Sequence, residues 1–177
     1  MSIEKVALRK EIKAAVKALS EEQKRKRSGR VLASLERNKY FRSAQSVLMF
    51  WSLPDEVMTH DFVEKWSAEK RILLPVVVGD KLEVRRYEGK ERLRLGSFDI
   101  QEPVGELVTD YDTIDLVVVP GVGFDVEGHR LGRGKGYYDR LLPQLKARRI
   151  GICFPEQFVP KVPSDPWDVN VKEIIID

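Results

Sequence analysis

An eleven-residue stretch, RLGRGKGYYDR at positions 130–140, concentrates residue types that bind anions. Its core alternates glycine with arginine and lysine, in the order Gly132, Arg133, Gly134, Lys135 and Gly136. Because glycine lacks a Cβ atom, the backbone can approach a ligand closely and direct several N–H groups at one point. The segment therefore predicts a concave anion site.

Positive potential at this site has further sources. A helix that we predict to begin near Tyr137 would present its positive N-terminal end. Arg130, Arg133 and Lys135 carry full charges. A polyphosphate is the ligand expected from this combination, and an exposed loop with incidental charge is the alternative. Neither the Walker A pattern nor the dinucleotide pattern G-x-G-x-x-G fits the segment.

Asp139 is the one carboxylate within this cationic stretch. It could neutralise Arg140 or cap the following helix, or it could bind Mg²⁺. Mg²⁺ typically keeps several waters and takes one or two carboxylates, and substrate phosphates complete its coordination. The functional interpretation of Asp139 is therefore that of a magnesium ligand.

The chain has 177 residues, enough for a single domain, which we place at residues 1–177. Apolar residues make up 42% and charged residues 33%, as in soluble globular proteins. The net charge of +3 does not by itself indicate nucleic acid. The first residues contain no continuous apolar stretch as long as that of a signal peptide, and no apolar run elsewhere is long enough to span a membrane. We therefore expect a cytoplasmic protein with no membrane partner. Cys153 is expected to be an inert core thiol.

Hydrophobic periodicity predicts an α/β fold. Helices are expected at residues 2–19, from a capping box at Ser20 to about Arg37, after a cap at Thr59, and at 137–147. Strands are expected at 46–51, 71–78, 115–124, 149–154 and 173–177. Residues 79–89 are expected to form a turn that leads into a more exposed strand, and residues 89–110 are expected to be mostly loop. Alternating strands and helices favour a single three-layer sandwich, in which helices cover both faces of a mostly parallel central sheet. Such sheets bind ligands beyond the carboxyl ends of their strands.

The chain also resembles a known family. The segment PGVGFDVEGHRLGRGKGYYDRLL, at 120–142, closely resembles the signature of 5-formyltetrahydrofolate cyclo-ligases, also called 5,10-methenyltetrahydrofolate synthetases. KVALR at 5–9, SLPDEVMT at 52–59 and GSFDIQEP at 96–103 resemble further elements of that family. The similarity extends along nearly the whole chain.

The resemblance implies an ATP-dependent ring closure that converts 5-formyltetrahydrofolate into 5,10-methenyltetrahydrofolate with Mg²⁺, releasing ADP and phosphate. The implied partners are ATP and a reduced folate, with no nucleic acid, and we expect a monomer. The implied ATP contacts are Lys5, Val6, Ala7, Leu8, Arg9, Arg130, Leu131, Gly132, Arg133, Gly134, Lys135, Gly136, Tyr137 and Tyr138. The implied folate contacts are Leu53, Glu56, Met58, Arg133, Gly134, Lys135, Gly136 and Tyr137. The implied metal ligands are Asp139 and Asp168, and the expected catalytic residues are Arg133 and Lys135.

Elementary chemistry agrees with several of these assignments. Lys5 and Arg9 lie four residues apart, hence on one helix face, where they could close over phosphates or simply form a basic exposed surface. Glu56 could accept hydrogen bonds from the N–H groups of a pterin ring. Tyr137 could stack on a flat ring, whereas Tyr138 could equally pack its helix against the sheet.

Some residues fit the family or the site less well. Phe50 and Trp51 are predicted to be core residues, so that only Leu53 of this segment is assigned to the site. Met58 stands where the family usually has an acidic or amide residue, and Lys172 stands where it often has aspartate.

Two other functions compete with the cyclo-ligase. One is an ATP-dependent phosphotransferase or ligase that acts on another small molecule through the same loop. The other is a basic nucleic-acid-binding module, for which the runs KRKR at 24–27 and RRY at 85–87 are the evidence. A run such as KRKR is more often a solvated helix face.

Overall fold

The apolar runs of the sequence form the strands of a computed structural model, which describes residues 2–177. The strands are β1 (Ser46–Leu48), β2 (Arg71–Val78), β3 (Lys81–Arg86), β4 (Leu93–Leu95), β5 (Gln101–Pro103), β6 (Leu116–Val119), β7 (Gly123–Phe124), β8 (Arg130–Leu131), β9 (Arg148–Cys153) and β10 (Glu173–Ile176). The helices are α1 (Ile3–Lys17), α2 (Glu21–Arg37), α3 (Lys39–Ser43), α4 (His60–Trp66) and α5 (Tyr137–Leu141).

Six of these strands form the central sheet, in the order β10-β9-β6-β1-β2-β3. All neighbours run parallel except β2 and β3, which form an antiparallel hairpin. Val47 of β1 lies opposite Ile72 of β2 on one side and Leu116 of β6 on the other. The prediction of a mostly parallel sheet is confirmed.

Helices cover both faces of the sheet, because successive side chains of a strand point to opposite faces. Val47 packs into a core cluster shared with α1, α2, α3 and α4. Its neighbour Leu48 packs into a second cluster, which contains Leu141 and Leu142 at the end of α5. The predicted three-layer arrangement is therefore confirmed. Cys153 is buried in the second cluster, and burial raises the pKa of its thiol to about 12, as expected of an inert thiol.

The ends of the helices agree only in part with those predicted from the sequence. Ser20 and Gln23 form the predicted capping box of α2. Thr59 is the N-cap residue of α4, as predicted, but its side chain makes no capping hydrogen bond and its hydroxyl donates to the carbonyl oxygen of Phe50. The predicted eleven-residue helix at 137–147 is wrong. The α-helix ends at Leu141 and a 3₁₀ turn follows, because Pro143 has no N–H for a helical hydrogen bond.

Two segments differ from the predicted strands and loops. Residues 89–110, predicted to be mostly loop, contain the antiparallel pair β4 and β5, joined by a 3₁₀ turn in which Phe98 and Asp99 have φ values of 59° and 57°. The strand predicted at 115–124 ends at Val119. After Pro120 and Gly121 the chain turns into a separate hairpin of β7 and β8, which the glycine-rich segment follows.

The KRKR run lies on α2, and three of its four cations form ion pairs within the protein. Lys24 pairs with Glu21, Lys26 with Glu22, and Arg27 with Glu156. Lys24 is moreover buried rather than solvated. The run is therefore largely neutralised by the protein's own carboxylates. Within residues 2–177, no helix has the length and apolar character needed to cross a membrane.

Candidate functional site

A cavity of about 670 Å³ lies beyond the carboxyl ends of β1 and β6. Phe50 and Leu53, which follow β1, and Pro120 and Gly121, which follow β6, line it. This is the position expected of a ligand site in an open parallel sheet. The residues of the glycine-rich segment from Gly132 to Asp139 line the same cavity.

The glycine loop, defined here as Gly132–Gly136, depends on glycine at two positions. Gly134 and Gly136 have φ values of 101° and 72°, in the left-handed region that L side chains rarely adopt. Arg140 closes the loop by donating from Nη2 to the carbonyl oxygen of Lys135 at 2.9 Å. Helix α5 begins directly after Gly136, but its five residues give a shorter dipole than the sequence predicted.

Helix α1 contributes two cations to the cavity. Arg9 donates from Nε to the carbonyl oxygen of Gly132 at 2.6 Å. Lys5, one turn earlier, donates from Nζ to one carboxylate oxygen each of Asp165 and Asp168, both at 2.8 Å. Both side chains line the cavity, so the shared helix face predicted from their spacing does face the glycine loop. Val6, Ala7 and Leu8 are not among the cavity-lining residues.

The charges of these groups are coupled. Burial disfavours the charged form of Lys5, but hydrogen bonds with Asp165 and Asp168 outweigh that effect and raise its pKa. Burial lowers the pKa of Arg9, against the attraction of Asp139 and Asp168. Arg9 therefore lies within electrostatic reach of both predicted metal ligands.

Asp139 and Asp168 both line the cavity. Among residues 2–177, no three histidine, cysteine or acidic side chains gather as they would in an all-protein metal cage. Two carboxylates beside the glycine loop nevertheless match the donor set of Mg²⁺, whose coordination phosphate oxygens and water typically complete. Asp168 is already hydrogen-bonded, because Oδ2 accepts from Lys5 and from the backbone N–H of Asp165. Asp165 was missed from sequence, although its i,i+3 spacing to Asp168 in SDPWD was a visible signal.

Glu56 is buried at the cavity wall. Its Oε1 accepts from the backbone N–H of Leu53 at 2.8 Å, and its Oε2 lies 3.3 Å from Nη2 of Arg133. Burial raises the pKa of Glu56, against the attraction of Arg133. Arg133 also donates to both carboxylate oxygens of Asp55, at 3.1 and 2.5 Å. The predicted catalytic arginine thus connects the glycine loop to the segment that carries Glu56.

Two other assigned residues lie away from the cavity lining. Met58 donates its backbone N–H to Ser28 Oγ at 2.9 Å and does not line the cavity. Leu131 is buried in the core. Arg130, by contrast, lines the cavity and donates from Nε to the carbonyl oxygen of Pro120 at 2.6 Å. The individual binding roles of all these residues stay predictions.

Aromatic side chains form much of the remaining wall. Tyr138 lines the cavity beneath the Arg130 guanidinium, which lies 4.9 Å from its ring centroid. Tyr137 meets Phe98 edge to face at 6.3 Å between centroids. Lys135 Nζ lies 5.8 Å from the Phe98 ring centroid, so this cation faces an aromatic group. Burial raises the pKa of Tyr138, so its hydroxyl stays protonated.

Several aromatic residues that line the cavity were not assigned to the site from the sequence. Phe50 and Trp51, predicted to be core residues, pack against the core but also line the cavity. Phe98 and Trp167 line it too, although both side chains are largely exposed. Residues in irregular segments follow no hydrophobic period, so a sequence pattern cannot assign them to the site. The only available signal was that these aromatic residues lie close in sequence to the recognised motifs.

Comparison with known proteins gives a consistent result. The model of the 5-formyltetrahydrofolate cyclo-ligase family matches residues 1–177. The 5-formyltetrahydrofolate cyclo-ligase of Mus musculus is 29% identical over 189 residues, which cover 98% of this chain and 93% of the mouse protein. That of Escherichia coli K12 is 31% identical over 141 residues, which cover 75% of this chain and 78% of the bacterial protein.

Solved structures agree. The 5,10-methenyltetrahydrofolate synthetase of Aquifex aeolicus superposes with a TM-score of 0.88 at 36% identity, covering 97% of this chain and 89% of that one. The synthetase of Mycoplasma pneumoniae gives a TM-score of 0.79 at 27% identity, covering 98% of both chains. The predictions of family and enzyme class are confirmed: this chain belongs to the 5-formyltetrahydrofolate cyclo-ligase family, whose members are ligases that form a carbon–nitrogen bond.

Proposed function

We propose that this protein uses ATP and Mg²⁺ to convert 5-formyltetrahydrofolate into 5,10-methenyltetrahydrofolate, releasing ADP and phosphate. One observation carries the proposal beyond family membership. A single cavity joins the cations of α1, the glycine loop and the buried carboxylate of Glu56. Groups suited to a polyphosphate and groups suited to a pterin ring therefore face the same cavity, as a transfer between two bound substrates requires.

The triphosphate of ATP would lie on the glycine loop. Backbone N–H groups of the loop, Lys5, Arg9 and Lys135 supply the positive potential there. Among the described residues, no carboxylate lies within ion-pairing distance of the Lys135 ammonium, whereas Lys5 and Arg133 are each paired with two acids. Of the two predicted catalytic cations, Lys135 is therefore the one whose charge is available to neutralise the transferred phosphoryl group.

Asp139 and Asp168 would hold Mg²⁺, which supplies charge neutralisation to the phosphate oxygens when bound. Lys5 would then serve a second purpose. By donating to Asp165 and Asp168, it holds the 165–168 segment against α1 and orients the Asp168 carboxylate. This is the positioning that a ligand for a metal with strict octahedral preference needs.

The reduced folate would lie against the segment that carries Leu53 and Glu56. A Glu56 carboxylate can accept from the amino and amide N–H groups of the pterin ring, while Leu53 contributes apolar contact. The ion pair with Arg133 restricts the rotation of the Glu56 side chain. The positive charge of Arg133 also opposes the rise in the pKa of Glu56 that burial causes. The ion pairs of Arg133 would thus orient the folate-binding acid, in addition to the charge stabilisation expected from sequence.

The proposed chemistry has two steps. The formyl oxygen attacks the γ-phosphorus and displaces ADP, which turns a poor leaving oxygen into a phosphate ester. The neighbouring ring-closing nitrogen then attacks the activated carbon and loses its proton, and inorganic phosphate leaves. The protein contributes positioning and charge stabilisation, with no covalent nucleophile. The buried Cys153 thiol, whose pKa is about 12, is unsuited to that role.

The test is direct. Purified protein with ATP, Mg²⁺ and 5-formyltetrahydrofolate should produce the methenyl chromophore together with stoichiometric ADP, and the product should disappear when ATP is omitted. ADP formation without the chromophore would favour an ATP-dependent ligase or phosphotransferase acting on another small molecule. A phosphorylated protein trapped during turnover would contradict the proposed absence of a covalent nucleophile.

A further inference from the structure

We propose that His60 positions the indole of Trp51, which lines the folate side of the cavity, by stacking on it. The inference rests on the proposed function, because it takes the folate as the ligand of the Glu56 side of the cavity. Neither residue belongs to the motifs that indicated the site.

The two rings form a close parallel stack. Their centroids lie 3.9 Å apart and the planes differ by 8°. Trp51 lines the cavity, whereas His60 does not. His60 is the first residue of α4, and its Nε2 lies 2.9 Å from the carbonyl oxygen of Ser52. The helix start and this hydrogen bond together fix the plane of the imidazole, and the imidazole in turn limits how the indole can rotate.

The stack is not needed to close the loop between β1 and α4. Ser52 and Thr59 close it reciprocally: the Ser52 N–H donates to Thr59 Oγ1 at 3.1 Å, and the Thr59 N–H donates to Ser52 Oγ at 2.9 Å. Thr59 Oγ1 also donates to the Phe50 carbonyl oxygen at 2.7 Å. The backbone at the neck of the loop is therefore held by contacts other than those of the His60 ring. The ring itself makes one hydrogen bond to the Ser52 carbonyl oxygen and stacks on Trp51.

The neighbours of Trp51 indicate which ligand it meets. Trp51 lies two residues before Leu53, whose N–H orients Glu56, so it stands on the segment that we assign to the folate. The polyphosphate-binding cations lie on α1 and the glycine loop instead. A flat heteroaromatic ring beside the Glu56 carboxylate would find an apolar, planar partner in Trp51. Tyr87, at 5.8 Å between centroids and 24° between planes, supports the indole from within the core.

Two substitutions at His60 separate stacking from hydrogen bonding. His60→Phe keeps a flat ring but loses the hydrogen bond to Ser52, whereas His60→Gln keeps a polar group and loses the ring. We expect His60→Gln to raise the KM and the Kd for 5-formyltetrahydrofolate about 3- to 10-fold, the range expected for an aromatic contact. The KM for ATP should not change, and His60→Phe should restore folate affinity. Lys65→Ala, on the exposed side of the same helix, is the control.

Trp51→Ala should weaken folate binding at least as much as His60→Gln. Because His60 acts through Trp51, the double variant should be no worse than Trp51→Ala alone. The opposite pattern, with His60→Gln normal and His60→Phe impaired, would assign His60 to the loop hydrogen bond and overturn the proposal. Equal losses for ATP and folate, or additive losses in the double variant, would also overturn it.

Calorimetric titration of each variant with 5-formyltetrahydrofolate separates this proposal from the proposed function. If wild-type protein binds the folate but forms no methenyl product, the proposed reaction fails, while the affinities still decide the role of the stack. If wild-type protein does not bind the folate at all, both proposals are wrong.

Discussion

The Nε atom of Arg9 donates a 2.6 Å hydrogen bond to the carbonyl oxygen of Gly132 and so connects the first helix to the start of the glycine loop, across 123 positions of sequence. The contact uses a specific atom of the guanidinium group and leaves the two terminal nitrogens for other acceptors. Helix α1 is therefore part of the proposed nucleotide site, as well as a layer of the fold.

Arg9→Lys should weaken ATP binding although the charge is retained. An ammonium at the end of a flexible chain cannot reproduce the planar donor geometry of guanidinium. We expect the KM for ATP to rise by roughly tenfold or more, the scale of a hydrogen bond to a charged group, with the folate KM changed much less. Lys10→Ala, one residue later on an exposed face, is the control. An unchanged KM for ATP would remove Arg9 from the nucleotide site.

Lys135→Ala should lower kcat by roughly 10²- to 10³-fold, the loss observed when one preorganised stabilising group is removed. Among the described residues, no acid pairs with this ammonium, so its charge is available to the phosphoryl group. Chromophore formation at saturating substrates measures the effect. Lys146→Ala, which removes an exposed lysine paired with Asp112, serves as the control. Wild-type turnover in Lys135→Ala would defeat the assignment.

Asp139→Asn should raise the Mg²⁺ concentration needed for half-maximal activity, because a neutral amide is a weaker ligand for a hard cation. A magnesium titration at fixed ATP measures this change, and the matched variant Asp112→Asn alters an exposed acid that does not line the cavity. Identical titration curves for Asp139→Asn and wild type would exclude Asp139 as a ligand.

The layers of the fold were predictable because they depend on local pattern. The alternation of β-branched runs with amphipathic helices indicated a parallel sheet covered on both faces, and the capping box at Ser20 placed the start of α2 correctly. Short elements were not predictable. Strands β4, β5, β7 and β8 have two or three residues each, too few for a period to emerge. Their pairing depends on tertiary contacts such as those that hold the chain after Pro120.

The candidate site was predictable where chemistry concentrates in a motif, as in the glycine loop and in the Lys5–Arg9 pair. It was not predictable where partners are distant in sequence. The pairing of Lys5 with Asp165, and of Arg133 with Asp55, joins residues 160 and 78 positions apart. Local spacing carries no information on such pairs. Trp51 was assigned to the core because aromatic residues after a buried strand usually belong there, and the structure gives it both roles.

The pH dependence of stability should reveal the role of Asp125. Its buried carboxylate accepts from the backbone N–H of Val162 at 2.9 Å and from His129 Nδ1 at 2.9 Å, thereby holding the β7–β8 hairpin to the segment that leads to Asp165. Burial alone would raise the pKa of Asp125, but these hydrogen bonds outweigh it and lower the pKa below its usual value.

A lowered pKa in the folded state stabilises the protein above the unfolded-state pKa of about 4, and this stabilisation is lost as the pH falls through the folded-state value. Asp125→Asn should therefore reduce the free energy of unfolding by about 1–3 kcal/mol at pH 7. Urea unfolding measured over a range of pH should show this difference shrinking below about pH 4. A difference that stays constant with pH would show that the ionised carboxylate is not the stabilising species.

In the proposed enzyme, the glycine loop holds the triphosphate beside the folate-binding wall. A crystal structure of the protein with Mg²⁺, a non-hydrolysable ATP analogue and 5-formyltetrahydrofolate tests it most directly. We predict that the γ-phosphate lies against Gly132–Gly136 within reach of Lys135, with the metal on Asp139 and the formyl oxygen facing the γ-phosphorus. A triphosphate bound away from this loop, or a folate bound outside the cavity, would contradict the account.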